Sequence, residues 1–497
     1  MSPQLPPMPL AKLLPAAAPV PALAVGDVFL DSRQVQPGGL FLAIPGGRQH
    51  GLVGAPEAER RGAVAVAYDP VGAAVPLALA QRQMRVPLVP VVGLAAQVAE
   101  IARCRYGERV PALVVGVTGT NGKTTCAWLL AQAWQALGLG GGLIGTLGWG
   151  RPAALAPAER TTPDVVSVHR ELAAMAADGL QAVAMEVSSH ALVQERVAAV
   201  RFSGAAFTNL SHDHLDYHRD IDDYAAAKAR LFARPELQFA VINADDPYGE
   251  RMAAELSPLA DITRYCASGR AVDGRHLRLS ALTAGTGGLT LQVEGDFGHL
   301  QLAAPLLGRF NAANLLAVCG VLLAGGVAPA ALAPLCRILQ PAPGRMQAVA
   351  VPGRPLVVID YAHTPAALAA ALAACREHTT GRLICVFGCG GDRDRAKRPA
   401  MGAIAERLAD VLVLTDDNPR REDPAVIMAE ILAGLQREPW RVVHDRAQAI
   451  VTAIGLGGPG DVVLVAGKGH ERYQEVGNSR QPFSDAEVVA DVLGAAA

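Results

Sequence analysis

The sequence predicts an α/β protein with three domains. Its 497 residues amount to about three domains of roughly 150 residues each. From residue 355 onward, short apolar runs such as PLVVID, RLICVFG and DVVLVAG alternate with helical segments, and the middle of the chain repeats this alternation with ALVVGVTG, AVAMEVS and FAVINAD. Strands that alternate with helices in this way form parallel sheets whose faces are covered by the helices.

The domain boundaries are predicted near residues 108 and 341. The first hundred residues are less regular and contain the strand candidates DVFLDS, GLFLAI and AVAVAY. They end near a linker-like segment at residues 107–111, and Pro341 and Pro343 interrupt the chain again. The prediction is a smaller N-terminal α/β domain over residues 1–108, a central α/β domain over residues 109–341 and a C-terminal domain over residues 342–497.

The composition excludes several classes of protein. Basic residues number 44 and acidic residues 46, which gives a net charge of -2, so nucleic acid and anionic membrane surfaces are not expected partners. The eight cysteines are scattered and form no CxxC pair, which disfavours a disulfide framework and a zinc site of paired cysteines. Pro15, Pro19 and Pro21 interrupt the apolar N-terminal stretch, so no export signal is expected. We expect a cytoplasmic monomer.

Two charge-free stretches, residues 124–150 and 315–336, are long enough to be compared with membrane spans. A glycine cluster at residues 138–142 interrupts the first stretch. The second stretch breaks at glycines and prolines, namely Gly325, Gly326, Pro329 and Pro334. We therefore expect each stretch to form a buried helix followed by a turn, and no insertion into a membrane.

A glycine-rich loop gives the strongest chemical signal. The residues GVTGTNGKTT at 116–125 follow the strand ALVVG and precede the helical run CAWLLAQAW. In such a loop, backbone N–H groups and the helix N-terminus bind phosphates, Lys123 reaches the terminal phosphates and Thr124 can bind Mg²⁺. Five residues separate Gly116 from Gly122 where the standard motif has four. The loop predicts a P-loop-type ATPase in the central domain, because a purely structural turn would not need Lys-Thr there.

Acidic and histidine residues cluster further along the central domain. Three His and five Asp lie within residues 212–223, and Lys228, one of only five lysines in the chain, follows them. With a phosphate loop present, these residues and Glu186 in AMEVSSH predict Mg²⁺ ligands, while a zinc site or a solvated loop are the alternatives. An amine with a lowered pKa reacts with CO₂ to form a carbamate, an anion that binds metal, so Lys228 is a candidate for this role; a salt-bridging lysine is the alternative.

Three polar loops follow strands of the C-terminal sheet. GCGGDRDR at 388–395, DDNPR at 416–420 and GKGHE at 467–471 come directly after RLICVF, DVLVLT and DVVLVA. The carboxyl ends of parallel strands lie at one edge of a sheet, which is the usual ligand crevice. Arg393, Asp417, Arg420 and Glu471 at that edge suit a substrate with carboxylates and an amine.

Together these motifs resemble the Mur ligases. The resemblance rests on the motifs in order along the chain: GTNGKTT, TTPD (161–164), MEVSSHAL (185–192), TNLSHDHLDYH (208–218), GRFNAANLLA (308–317), GRM (344–346), DYAHTP (360–365), FGCGGDRD (387–394), DDNPR and AGKGHE. It implies an N-terminal domain that holds a UDP moiety, a central ATPase and a C-terminal Rossmann-like, doubly wound domain that closes over an amino acid.

The resemblance also implies roles for single residues. The residues matching ATP contacts are Gly119, Thr120, Asn121, Gly122, Lys123, Thr124, Asn314, Arg345 and Asp360. Those matching metal ligands are Thr124, Glu186, His214 and carbamylated Lys228, and the predicted catalytic set is Lys123, Lys228, His214 and Glu186. The UDP-substrate contacts are Leu30, Ser32, Thr161, Thr162, Ser188, Gln194 and Arg196. The amino-acid contacts are Arg393, Asp417, Asn418, Pro419, Arg420, Gly467 and Glu471.

The implied reaction adds meso-diaminopimelate to the D-glutamyl γ-carboxylate of UDP-MurNAc-L-Ala-D-Glu, with ATP as co-substrate and Mg²⁺ as cofactor, in peptidoglycan precursor synthesis. Two positions depart from the family pattern: Arg160 replaces a common Asn, and His50 replaces the usual Asp. The alternatives are a ligase like folylpolyglutamate synthetase, which DDNPR and TTPD disfavour, and a P-loop regulatory ATPase without ligation activity, which would lack the DNPR and GKGHE loops.

Overall fold

The computed structural model describes residues 5–14, 20–47, 49–107, 110–214, 217–254, 256, 261–285 and 287–495. Two compact units emerge from the contacts of the chain. The first comprises residues 1–123, 130–241 and 248–262, and the second comprises residues 124–129, 242–247 and 263–497. In the described part of the chain, no helix has the length and apolar character needed to cross a bilayer.

The N-terminal part of the first unit contains a parallel sheet of four strands. Its order is β3-β4-β5-β6, and β1 and β2 form a separate antiparallel pair. Two 3-10 turns at Ser32–Gln34 and Gly51–Gly54 follow β3 and β4. The elements are β1 (Met8–Pro9), α1 (Leu10–Leu13), β2 (Ala24–Val25), β3 (Asp27–Phe29), β4 (Gly39–Ala43), α2 (Ala55–Arg60), β5 (Ala63–Tyr68), α3 (Ala74–Gln83), β6 (Leu88–Pro90) and α4 (Leu94–Tyr106).

The next segment of the chain builds a sheet around the phosphate loop. Its strands follow the order β10-β9-β8-β11-β7-β12-β13, and β8, β11, β7 and β12 are mutually parallel. The elements are β7 (Leu113–Thr118), α5 (Lys123–Ala136), β8 (Gly141–Gly145), β9 (Gly148–Arg151), β10 (Ala154–Ala156), α6 (Val165–Ala177), β11 (Ala182–Glu186), α7 (Ser189–Val193), β12 (Gly204–Phe207), α8 (Ile221–Ala229), β13 (Phe239–Asn243) and α9 (Pro247–Ala254).

The following strands are β14 (Asp261–Cys266), β15 (His276–Gly285), β16 (Gly288–Gly295) and β17 (Leu300–Ala304), which lie side by side in that order. Helices α10 (Phe310–Ala324) and α11 (Pro329–Ile338) come next and belong to the second unit. A helix-covered sheet of order β18-β19-β23-β20-β21-β22 follows. Its elements are β18 (Gln347–Val349), β19 (Leu356–Asp360), α12 (Pro365–Glu377), β20 (Leu383–Phe387), α13 (Lys397–Leu408), β21 (Val411–Leu414), α14 (Pro424–Leu432), β22 (Arg441–Val442), α15 (Arg446–Leu456), β23 (Val462–Ala466), β24 (Tyr473–Val476), β25 (Ser479–Pro482) and α16 (Asp485–Leu493).

Alternate residues of β19 enter two different cores of this sheet. Val358 packs with Leu372 and Met401 on one face, whereas Val357 and Ile359 pack with helices of the other face. Burial of both faces explains why these strands read as continuous apolar runs. The predicted α/β class and the doubly wound C-terminal sheet are confirmed.

Two local features differ from the predictions. The predicted turn after the first stretch is present at residues 137–139, directly after α5, but strand β8, which begins at Gly141, was not predicted. A Cβ atom at Gly141 would collide with the carbonyl of Ala131, so the strand uses glycine because helix α5 passes very close to it. Pro334 lies inside α11 and does not end it. Pro15 and Pro19, cited against an export signal, lie outside the described residues.

Candidate functional site

The phosphate loop joins the carboxyl end of β7 to helix α5. Gly119 has φ +147° and Gly122 has φ +86°, both in the region that favours glycine. A Cβ atom at Gly119 would also collide with the hydroxyl of Thr208. Lys123 opens α5, and its Nζ donates to the carbonyl oxygens of Gly119 (2.7 Å) and Thr120 (2.8 Å). The loop therefore has the strand–loop–helix geometry expected of a phosphate cradle.

The segment after β12 holds this loop in place. Asn209 accepts from the backbone N–H of Asn121 (3.0 Å) and donates to its carbonyl oxygen (3.1 Å), while the hydroxyl of Thr208 donates to the same carbonyl (2.6 Å). The carbonyl of Asn209 accepts from the N–H of Thr120 (2.8 Å). The sequence prediction missed Thr208 and Asn209, although their position at the end of strand FTNL could have suggested this role.

Lys228 is buried beside the phosphate loop. Its side chain belongs to α8 and is only 1% exposed, and its Nζ donates to the carbonyl oxygen of Gly119 at 3.0 Å. The Nζ also lies 4.3 Å from the centre of the Tyr224 ring. Within the described chain, no ion pair includes Lys228. Burial, and to a smaller extent the nearby Lys123 ammonium, holds the pKa of Lys228 well below its ordinary value. A lowered pKa favours the neutral amine, which is the form that reacts with CO₂.

Glu186 ends β11 next to the loop and is 1% exposed. Its Oε1 accepts from the backbone N–H of Thr146 (2.7 Å), and its Oε2 accepts from the hydroxyl of the same residue (3.3 Å). A side chain at Gly145 would collide with the Glu186 carboxylate, which explains the glycine at the end of β8. The carboxylate is thus held in one position near the carboxyl edge of the sheet.

His214 has φ +56°, and its ring lies 4.9 Å from that of His190 in an edge-to-face arrangement. Its Nε2 lies 3.7 Å from a carboxylate oxygen of Asp213. The described residues contain no group of three or more His, Cys, Asp or Glu side chains placed to hold a metal ion. Asp216, one of the clustered acids, lies outside those residues.

The predicted UDP-substrate residues of the central sheet form one hydrogen-bonded group. The hydroxyl of Thr162 donates to the carbonyl of Glu186 (2.8 Å) and accepts from the N–H of Ser188 (3.1 Å). Arg196 donates to the carbonyl of Thr162 (3.0 Å) and, through Nε, to the side-chain oxygen of Gln194 (3.0 Å). The hydroxyls of Thr146 and Thr161 are 3.1 Å apart. The structure therefore brings five of the predicted residues together around the end of β11.

Leu30 and Ser32 lie at the end of β3, where Asp31 caps the 3-10 turn Ser32–Gln34. The pKa of Asp31 is lowered, mainly by its hydrogen bond from Arg33 and in part by the charge of Arg160. Arg160 also lowers the pKa of Arg196, although burial of Arg196 is the larger cause. Arg160, which departs from the family pattern, is therefore electrostatically coupled to residues of both predicted UDP-substrate segments.

His50, the second departure, has a structural role. Its Nδ1 accepts from the N–H of Leu52 (3.1 Å) at the start of the Gly51–Gly54 turn, and its Nε2 lies 3.0 Å from the carbonyl oxygen of Asp69. An N-cap needs a side-chain acceptor, which an Asp oxygen or an unprotonated imidazole nitrogen can provide. The histidine thus performs the capping role that the usual aspartate could fill.

In the second unit, the predicted amino-acid residues surround a buried lysine. The Nζ of Lys468 is 0% exposed and donates to Asn418 Oδ1 (2.9 Å) and Glu471 Oε2 (3.0 Å), with Asp417 Oδ1 at 3.9 Å. The amide of Asn418 donates to the same Glu471 oxygen (2.8 Å). A Cβ atom at Gly467 would come within 2.9 Å of Asp417 Oδ2. Burial raises the pKa of Asp417 above its ordinary value.

Arg420 lies beside this group and is fixed by three contacts. Its Nε donates to Glu475 Oε2 (2.7 Å), its Nη1 donates to the carbonyl of Gly391 (2.8 Å), and its backbone N–H donates to the carbonyl of Glu475 (2.9 Å). It has φ +51°. Pro419 sits against Gly391, where any side chain would collide with the Pro419 carbonyl. Arg393 is exposed in the neighbouring loop.

The predicted nucleotide residues of the second unit occupy separate elements. Asn314 in α10 is buried and donates to Asn311 Oδ1 (2.8 Å). Asp360 at the end of β19 accepts from the N–H groups of Met346 (2.8 Å) and Ala362 (2.9 Å), and burial raises its pKa. The Arg345 guanidinium lies 4.7 Å from the centre of the Tyr361 ring. The hydrogen bond from the Met346 N–H to Asp360 therefore joins the loop that contains Arg345 to the end of β19.

Comparisons with known proteins identify the family. The profile of the Mur ligase middle domain matches residues 117–322, that of the Mur ligase glutamate ligase domain matches 344–469, and that of the Mur ligase family catalytic domain matches 25–106. The chain belongs to the Mur ligase family. This membership explains why the phosphate loop, the residues predicted to bind the UDP substrate and the polar C-terminal loops occur in one chain.

Three relatives of this Mur ligase carry the same name. The UDP-N-acetylmuramoyl-L-alanyl-D-glutamate–2,6-diaminopimelate ligase of Alkalilimnicola ehrlichii is 48% identical over 95% of either chain. That of Ectopseudomonas mendocina is 48% identical over 98% of this chain and 99% of the relative. A solved structure of a ligase with this name matches with TM-score 0.70 and 32% identity, covering 98% of this chain and 99% of the other.

The sequence prediction missed two charged residues of this Mur ligase. Lys468 is one of only five lysines in the chain, and this scarcity was a usable signal, but no role was predicted for it. Glu475, which pairs with Arg420, carried no signal because it lies in the strand β24 beyond every recognised motif. Both residues hold predicted substrate contacts in position.

Proposed function

We propose that the chain is the Mur ligase that adds meso-diaminopimelate to the γ-carboxylate of the D-glutamyl residue in UDP-MurNAc-L-Ala-D-Glu. The observation that carries the proposal is the match, over nearly the whole chain, to relatives named as UDP-N-acetylmuramoyl-L-alanyl-D-glutamate–2,6-diaminopimelate ligases. The phosphate loop of the first unit and the Asn418–Lys468–Glu471 group of the second support it. The reaction is an ATP-dependent formation of an amide bond.

The proposed reaction has two steps. The γ-carboxylate first attacks the γ-phosphate of ATP, which forms an acyl phosphate and releases ADP. The amine of diaminopimelate then attacks the acyl carbon, and phosphate leaves. Lys123 and the N–H groups of the loop Gly119–Thr124 would bind the phosphates and reduce the repulsion between ATP and the incoming carboxylate.

Mg²⁺ is the proposed cofactor, and Thr124, Glu186, His214 and carbamylated Lys228 are its proposed ligands. The residues fit this role chemically, because Glu186 is a fixed carboxylate and burial lowers the pKa of the Lys228 amine, which favours its reactive neutral form. When bound, Mg²⁺ supplies positive charge that neutralises developing charge on the phosphates. A carbamate on Lys228 would replace a poor metal ligand with an anionic oxygen donor, which no arginine could supply.

The selectivity for diaminopimelate is proposed to rest on Arg420. L-lysine lacks the distal carboxylate of diaminopimelate, so a fixed cation is required to distinguish the two amino acids. Glu475 and the carbonyl of Gly391 hold the Arg420 guanidinium in a single direction. Arg393, Asp417, Asn418, Pro419, Gly467 and Glu471 complete the proposed amino-acid site.

The domain limits at residues 108 and 341 stay a prediction, as does the monomeric state. A cytoplasmic location is proposed because the cysteines of the described residues are all free, as is usual in a reducing compartment.

The proposed function is tested by phosphate release from ATP in the presence of UDP-MurNAc-L-Ala-D-Glu. Meso-diaminopimelate, L-lysine and L-ornithine are offered separately. Release that depends on both the nucleotide-sugar peptide and meso-diaminopimelate supports the proposal. Release with folate substrates, or ATP hydrolysis that no amino acid stimulates, would reject it in favour of a folylpolyglutamate-type ligase or a regulatory ATPase respectively.

A further inference from the structure

Three loops of the second unit pack tightly against one another. A Cβ atom at Gly344 would collide with the backbone of Gly469 and His470, and one at Gly469 would come within 2.8 Å of the Gly344 carbonyl and of Tyr361. The N–H of Gly467 donates to the carbonyl of Asp360 at 3.0 Å. The loop with Arg345, the loop after β19 and the loop after β23 therefore pack backbone against backbone.

Two buried nitrogen atoms at this junction lack a partner. Within the residues that the structure describes, neither Arg345 Nε nor His470 Nδ1 has a hydrogen-bond partner. Both side chains flank Tyr361: the Arg345 guanidinium lies 4.7 Å from the ring centre, and the His470 ring centre lies 5.3 Å from it. Proteins rarely leave buried polar atoms unpaired, because each one loses its hydrogen bond to water. Two such atoms on side chains that both pack on Tyr361 point to a ligand that supplies the partners.

The charge state of His470 limits what this ligand can be. Burial, followed by the charge of Arg345, lowers the pKa of His470 to about 4, so its ring is neutral near pH 7. In the neutral imidazole with its proton on Nε2, the Nδ1 atom carries a lone pair and accepts a hydrogen bond, while Arg345 Nε donates one. A ligand group that can both donate and accept satisfies this pair. In ATP, the ribose hydroxyls have this property, whereas the ionised phosphate oxygens only accept.

We propose that His470 is a further nucleotide-binding residue that forms a hydrogen bond with a ribose hydroxyl beside Arg345. This inference rests on the proposed function, because the nucleotide site itself is part of that proposal. It adds a residue to which the motif comparison gave no role. It also explains why a histidine stands between Gly469 and Glu471, in a loop otherwise expected to bind the amino acid.

The test compares ATP with 2′-deoxyATP and 3′-deoxyATP as co-substrates for the full-length protein and for His470→Ala. The wild type is expected to prefer ATP by about fivefold to tenfold in kcat/KM over one of the two analogues, which is the usual effect of one hydrogen bond. In His470→Ala this preference should fall to about one, while the KM for diaminopimelate stays unchanged. His470→Gln, which keeps a neutral donor and acceptor, should recover part of the preference.

The matched control is His363→Ala. The His363 ring also packs on Tyr361, at 4.7 Å, but the residue is exposed and its Nδ1 lies 2.8 Å from the Tyr361 carbonyl oxygen. This variant should keep the preference for ATP. The inference is overturned if His470→Ala keeps the preference, if the wild type has none, or if only the KM for diaminopimelate rises.

A second measurement separates this inference from the proposed function. Calorimetric binding of ADP, 2′-deoxyADP and 3′-deoxyADP needs no ligation, so it tests His470 even if the expected ligation is absent. Loss of discrimination among the three nucleotides in His470→Ala supports the inference in that case, and unchanged discrimination rejects it. Circular dichroism of each variant verifies that it is folded.

Discussion

Lys228 in the first unit and Lys468 in the second are both almost completely buried, but their surroundings differ. Lys228 has a single carbonyl oxygen and an aromatic ring near its Nζ. Lys468 has an amide oxygen and a glutamate within 3.0 Å, and an aspartate at 3.9 Å. A buried ammonium is stable only where anionic or strongly polar groups replace water. The first environment favours a neutral, reactive amine, and the second favours a fixed cation.

The comparison shows that burial alone does not reveal the function of a lysine. The neighbours decide whether the side chain reacts or holds other residues in place. This difference leads to opposite expectations for the same substitution at the two positions, and the following experiments are ordered by the size of the expected effect.

The largest effect is expected for Lys228→Ala. The variant should lose ligation activity by about 10⁴-fold or more in kcat, as is typical when an essential catalytic group is removed. Folding and ADP binding should remain, because the carbamate places metal and does not fill a core. Short carboxylic acids at high concentration should restore part of the rate. Full activity of Lys228→Arg would show that no carbamate is needed.

Lys468→Met should act mainly on stability. It leaves Glu471 and Asn418 without their buried partner, at a cost of about 3 to 5 kcal/mol in the free energy of unfolding. Lys228→Met removes no ion pair and should cost about 1 kcal/mol or less. Urea unfolding of both variants measures the difference. Equal losses of stability would remove the distinction between the two lysines.

Arg420→Ala tests whether a cation that is paired within the protein also binds substrate. Loss of the contact to the distal carboxylate should cost roughly 2 to 4 kcal/mol, or about 30- to 1000-fold in kcat/KM for diaminopimelate. L-lysine should lose far less. Glu475→Gln is the matched control, because it removes the carboxylate that orients Arg420 while Arg420 keeps its own positive charge. Equal losses for both amino acids would contradict the selectivity role.

Glu171 in α6 is the acidic counterpart of Lys228. It is buried, its Oε2 has no hydrogen-bond partner among the described residues, and burial followed by the charge of Asp164 raises its pKa to about 8. A group with a raised pKa in the folded state contributes stability below its unfolded pKa, near 4.5, and loses it as the pH rises toward 8.

Glu171→Gln should therefore gain about 2 kcal/mol relative to the wild type between pH 6 and pH 8. The measured quantity is the difference in unfolding free energy between the two proteins at each pH, because Lys228 titrates in both and cancels. A difference that does not change with pH would mean that Glu171 is ionised in the folded protein.

The sequence predicted best the features that depend on neighbours along the chain. The phosphate loop and the apolar strands β7, β11 and β19 were recognisable because their signals are local. Strand β8 was not predicted because its glycines usually indicate a turn, and only the close approach of α5 explains why glycine stands in this strand. The same limit applies to the group around Lys468, whose members come from two loops far apart in sequence. No local sequence pattern indicates that these two loops come together in the fold.

The order β18-β19-β23-β20-β21-β22 has a consequence for how the protein is made. The strand β23 lies between β19 and β20, yet it is the last strand of this sheet to leave the ribosome. Until it emerges, β19 and β20 have unsatisfied edges, and exposed edges of this kind promote aggregation. A nascent chain that stalls before residue 462 would therefore expose the unpaired edges of β19 and β20 to other chains. Chaperones that shield apolar segments would be needed longest for this part of the chain.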